Sequence, residues 1–182
     1  SRLAALLGDD ALMERLYDED APADRSVQLE IDAQICSPDG YSRECTVFNS
    51  SAQGPTLVVD AGDVVEVHVR NRLFDAGASV HFHGVHQVGT PYFDGADMIS
   101  QAAVPAGGAM TLRFLAWPPG THWYHGHTGV DYADGLRGLF VVTDDEHDPY
   151  ALCADADAAV LFAEWQHSVA EQLCVSASPA TA

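Results

Sequence analysis

Nine histidines occur in this 182-residue chain, and four of them form two His-x-His pairs, His81-Phe82-His83 and His125-Gly126-His127. On an extended strand, side chains at i and i+2 point to the same face, about 7 Å apart. Each pair therefore aims two imidazoles at one place. Hydrogen-bonded strands lie roughly 4.8 Å apart, so two such strands side by side could surround metal ions with four nitrogen ligands. Imidazole suits zinc, copper, iron and nickel. A single zinc ion would use three or four of these histidines, often with a carboxylate.

The neighbouring residues narrow the choice. An iron site of the cupin kind needs a glutamate shortly after its His-x-His, but Val85-His86-Gln87-Val88 follows here. A copper–zinc dismutase site needs further histidines and an aspartate in a particular loop, an arrangement the chain lacks. Ligation by imidazole alone, from paired His-x-His segments, fits a multinuclear copper centre best.

These pairs must be carried by strands, and the hydropathy pattern supplies them. Val65, Val67 and Val69 alternate with Glu66, His68 and Arg70, a period of two that predicts a half-buried strand over 64–71 with His68 on its wet face. Similar stretches predict strands at 27–32, 46–49, 56–60, 79–84, 110–116, 121–127, 137–143 and 158–164. Turn signals punctuate them, among them Ser37-Pro38-Asp39-Gly40, Pro105-Ala106-Gly107-Gly108 and Pro118-Pro119-Gly120. Eight or nine short strands with no regular intervening helices point to an all-β Greek-key sandwich or barrel. Residues 1–25 differ: Leu3, Leu6, Leu7, Leu12 and Leu16 predict a short amphipathic helix followed by an acidic, proline-containing tail. The expected organisation is an N-terminal extension (1–25), one β domain (26–150), and a linker with the first strand of a second domain (151–182).

Composition excludes several functions. Hydrophobic residues make up 47% and charged residues 19%, a globular balance. Eight basic residues against 27 acidic ones give −19, and every basic residue is arginine. Such a field repels phosphate backbones and anionic bilayers, so no nucleic-acid partner is expected. No apolar run approaches the ~18 residues of a membrane-spanning helix. The four cysteines, Cys36, Cys45, Cys153 and Cys174, lack zinc-finger spacing, and the sequence-local pairing Cys36–Cys45 and Cys153–Cys174 is expected. With the Asn49-Ser50-Ser51 sequon, they lean towards a secreted or cell-surface glycoprotein.

At this point the motifs carry a resemblance. His81-Phe82-His83-Gly84 with Gln87-Val88-Gly89-Thr90-Pro91-Tyr92-Phe93-Asp94-Gly95 resembles the first copper-ligand segment of multicopper oxidases, the family of laccases, ascorbate oxidases and ferroxidases. So does Gly120-Thr121-His122-Trp123-Tyr124-His125-Gly126-His127 followed by Asp134-Gly135-Leu136-Arg137-Gly138. Glu164-Trp165-Gln166-His167 is similar to the segment that opens the family's second domain.

The resemblance implies a cupredoxin-like first domain. His81 would ligate the type 2 copper, and His83, His125 and His127 the type 3 pair. Asp94 matches a carboxylate that helps deliver protons during reduction of O2 to water. The reducing substrate would be a phenol, an ascorbate-like molecule or ferrous iron. The type 1 copper needs a His-Cys-His context that no cysteine here has. It is therefore expected outside this chain, in a C-terminal cupredoxin domain or a partner subunit, together with the remaining cluster histidines.

Two other readings compete with the oxidase. One is a non-catalytic copper-binding or scaffold module; the other is a mononuclear zinc or copper hydrolase or dismutase. Among the remaining aromatic and acidic residues, His122 is expected to be structural and Trp123 to pack beneath the cluster. Tyr92, Phe93 and Trp117 are expected in the core, and Asp131 and Asp134 are expected to orient the loop after the ligands.

Overall fold

The computed structural model describes residues 2–148, 158–170 and 172. Two helices open the chain, α1 (Arg2–Leu7) and α2 (Asp10–Tyr17). Eight strands follow: β1 (Arg25–Cys36), β2 (Arg43–Phe48), β3 (Leu57–Asp60), β4 (Val64–Asn71), β5 (Val80–His83), β6 (Ala109–Leu115), β7 (Gly120–Gly126) and β8 (Arg137–Thr143). They form two four-stranded sheets, ordered β2-β1-β4-β6 and β3-β8-β7-β5. The expected all-β sandwich is present.

The alternation explains the packing. Val65, Val67 and Val69 of β4 and Leu112 and Phe114 of β6 face Phe82, Tyr124 and Phe140 of the other sheet in one core. Each sheet thus spends alternate residues on the shared interior and leaves the others for its outer face. On β4 and β6 those outer residues include Val64 and Leu115, which the helices cover through Leu12 and Leu16. On β5 and β7 they include His81, His83 and His125.

Three expectations are corrected. The single N-terminal helix is two, because Gly8 interrupts it and Asp9 caps the second, accepting a hydrogen bond from the Leu12 amide. The strand expected at 158–164 joins neither sheet. Ladder bonds need a neighbouring strand, and the described residues offer this stretch none. Tyr92 is not core: the residue is 47% exposed, in the middle of a 3-10 turn, Pro91–Phe93.

The N-terminal extension packs on the domain rather than trailing from it. Arg113, buried beneath α2, gives one guanidinium nitrogen to the Arg15 and Ala21 carbonyls and another to Glu66. Cys36 and Cys45 form the expected disulfide across the β1–β2 hairpin. Cys153 and Cys174 lie outside the described residues. Asn49 spends its side-chain amide within the fold, donating to the Gln28 carbonyl and accepting from the Glu30 amide.

Candidate metal centre

β5 and β7 are antiparallel neighbours with His81 opposite His125 and His83 opposite Trp123. The intervening residues, Phe82 opposite Tyr124, are fully buried in the core. The period of two therefore sorts one strand pair into an apolar face and a face of imidazoles. His81, His83 and His125 each present a ligand nitrogen within 4.8 Å of the others. His127 follows β7, with its ring 5.3 Å from His81 and 5.8 Å from His125. All four expected histidines stand together; His127 is adjacent to the tight set of three rather than part of it.

Hydrogen bonds decide which nitrogen faces the pocket. His81 Nδ1 lies 2.6 Å from the Asp94 carbonyl and His125 Nδ1 lies 2.8 Å from the Gly126 carbonyl. A carbonyl only accepts, so each Nδ1 carries the proton and each Nε2 keeps its lone pair. His83 turns Nδ1 towards His125 Nε2 at 3.4 Å. Burial, then the neighbouring His81, His83 and His127, hold the His125 imidazole down to about 4. It is thus neutral and ready to donate its lone pair at ordinary pH.

Trp123 fixes the ring planes. Its indole lies tilted against His125 at 4.1 Å and stacks on His83 at 5.3 Å, so it packs against the cluster as expected. Tyr132 meets the His125 ring edge-on at 5.7 Å. Asp94 also arrives at the site, its carboxylate 3.4 Å from His81 Nδ1. Gly95 makes this approach feasible: its φ is +84°, and a Cβ there would run into the Val80 carbonyl.

Other histidines stay apart. His122 bonds the Pro118 carbonyl, and His68 sits among Ser26, Thr111 and Glu66 on the outer surface of the first sheet. His167 stacks on Tyr41 and bonds Asp39. His86 is exposed.

Two features go beyond the sequence reading: the burial of Asp131, expected only to orient its loop, and the surroundings of Arg43. Asp131, in the loop after the second His-x-His, has a carboxylate oxygen buried without a partner. Burial, then Asp134 and Asp97, raise it to about 6. Its weakened acidity is set by burial and by carboxylates brought near through the fold, and no local pattern announces those. Arg43 is the second. Its guanidinium stacks 3.9 Å over Trp165, bonds the Gln166 carbonyl and pairs with Asp134. Its partner Gln166 is 123 residues away in sequence.

The multicopper oxidase family model matches residues 30–147.

The chain belongs to the multicopper oxidase family.

It is 38% identical over 154 residues to Laccase-1 of Cryptococcus neoformans var. neoformans, covering 84% of this chain and 24% of that protein. It is 36% identical over 145 residues to L-ascorbate oxidase of Nicotiana tabacum, covering 79% and 25%. Among solved structures, Fet3p, a multicopper oxidase that functions in iron import, superposes with a TM-score of 0.71 at 29% identity, covering 83% of this chain and 28% of that one. The fold is therefore the cupredoxin-like sandwich of multicopper oxidases. The chain spans about a quarter of the length of the curated relatives it matches. Copper is the metal the family implies, and the donor set fits it: at least two imidazoles have their outer nitrogens committed to carbonyls and their lone pairs aimed inward.

Proposed function

We propose that this domain supplies half of the histidine ligands of a trinuclear copper cluster in a laccase-like multicopper oxidase. The oxidase would couple one-electron oxidation of a small reductant to reduction of O2 to water. By motif position, His81 serves the type 2 copper, and His83, His125 and His127 serve the type 3 pair. The convergence of His81, His83 and His125 within 4.8 Å carries this reading. Copper bound there would supply redox chemistry and an open position for O2.

The chain's own residues do the rest. The Asp94 carbonyl orients His81 through Nδ1, and its carboxylate, 3.4 Å away, is the acid-base group that would pass protons beside the cluster. Trp123 and Tyr132 hold the ring planes against rotation and keep water from one side of them. The chain after 150 leads into a further cupredoxin domain. That domain, or a partner subunit, contributes the type 1 copper and the remaining ligands. The reductant is a phenol, an ascorbate-like molecule or ferrous iron, in keeping with similarity to a laccase, an ascorbate oxidase and an iron transport oxidase. A secreted or cell-surface location accords with the Cys36–Cys45 disulfide. Among the described residues no helix is long and apolar enough to cross a membrane.

His83→Ala in the full-length protein tests this. Oxygen consumption should vanish and copper content per protomer should fall. Unchanged oxygen consumption would refute the assignment. Copper uptake by the unaltered full-length protein without oxygen consumption would identify a non-catalytic copper-binding module instead.

A further inference from the structure

The two N-terminal helices lie before residue 30, where the family match begins. They cover the outer face of one sheet, whereas the histidines stand on the other sheet. One loop joins these places. It runs from Gly84 to Gly95, leaves β5 directly after His83 and ends beside Asp94.

The helices touch this loop at two points. The Tyr17 hydroxyl donates to the Gly89 carbonyl at 3.5 Å. A Cβ at Gly89 would meet that hydroxyl and would come within 3.6 Å of Met13 Cε, so the loop backbone lies directly against α2. The second contact runs through Trp117, which packs in the helical cluster beneath the Arg2 guanidinium and accepts the His86 amide at its carbonyl. The loop also carries a bond of its own: Gln87 is buried at φ +49°, and its side chain accepts from the buried Thr90 hydroxyl at 3.1 Å. At its end, the Asp94 carbonyl accepts from His81 Nδ1.

We infer that the N-terminal helical pair braces the 84–95 loop, so that Tyr17 is a positioning residue for His81. The inference rests on the reading of His81 as a copper ligand. The physical chain is short: helix to Gly89, Gly89 to Asp94 through the 3-10 turn, and Asp94 to the protonated Nδ1. A loop freed from α2 lets the Asp94 carbonyl drift, and the His81 tautomer then loses its lock.

The test uses the chain with histidines labelled in nitrogen-15. Tyr17 is 52% exposed, so Tyr17→Ala should leave the thermal midpoint nearly unchanged. Tyr17→Phe removes only the hydroxyl and gives the same reading should the alanine variant unfold. The expected result has two parts: amide exchange at 86–90 rises about tenfold with β7 unaffected, and the single Nδ1–H tautomer of His81 becomes mixed. Affinity for added Cu2+ should fall several-fold, short of the ten- to hundredfold that loss of a direct ligand partner costs. Unchanged exchange in the loop, or a loosened loop with an unchanged His81 tautomer, would overturn the brace. Cu2+ uptake unaffected by His81→Ala would remove the ligand reading instead, while the tautomer measurement still judges the brace.

Discussion

Replacing Asp131 with asparagine should stabilise the domain, and by an amount that depends on pH. The Asp131 carboxyl is raised from 3.8 to about 6, first by burial and then by Asp134 and Asp97. Because the folded value lies above the unfolded one, the fold favours the protonated form. The penalty is absent below pH 3.8, grows through the interval and is complete above about pH 6. At 1.36 kcal/mol per pKa unit the full penalty is roughly 3 kcal/mol. Water reaching the rest of this partly exposed side chain screens some of it, leaving about 2 kcal/mol. Asparagine keeps the shape and cannot ionise.

Urea unfolding of both proteins at steps from pH 4 to pH 8 gives the comparison. The variant's advantage should rise from near its constant offset at pH 4 to about 2 kcal/mol more at pH 7.5. The general repulsion of an acidic chain cancels in the difference. Asp97→Asn, which keeps an oxygen for the Ala103 amide, should lessen the pH dependence because it removes one of the named causes. A pH-independent difference between wild type and Asp131→Asn would refute the reasoning.

Further predictions follow from the site and its supports. His125, held down to about 4, should show no imidazole titration by NMR between pH 5 and pH 8 in the metal-free chain. Its neutral form therefore adds stability above its ordinary value near 6.5, and that stability is lost as pH falls towards 4. Gly95→Ala should lower stability by at least about 2 kcal/mol, since it combines a left-handed backbone with a collision at Val80; an unchanged melting temperature would contradict it. Arg43→Met should cost about 3 kcal/mol by leaving the Asp134 carboxylate without its charged partner. It should also expose 158–167 to limited proteolysis, and an unaltered cleavage pattern would count against the role given to Arg43.

Much of the site was legible because its logic is local. His81 and His83, like His125 and His127, share a face by parity alone, and the valines of β4 betray the inner face in the same way. Pairing of β5 with β7 could be guessed only from the chemistry of convergence. The parallel pairings of β1 with β4 and of β3 with β8 join segments distant in sequence, and nothing local encodes them. Arg43 resembles any strand-edge arginine until Gln166 and Trp165 close over it. The break at Gly8 and Asp9 was written in the residues, but the leucine spacing hides it by running through both helices. Residues 158–164 show the opposite failure: an apolar extended pattern is not a strand until something pairs with it.

β5 is the outermost strand of its sheet and only four residues long. Its even-numbered residues belong to the interior and its odd-numbered ones to the site. Stability and chemistry are thereby written in separate columns of the same short text. An engineer could rewrite positions 81 and 83 for another metal, or for none, while leaving Val80 and Phe82 to keep the sandwich closed.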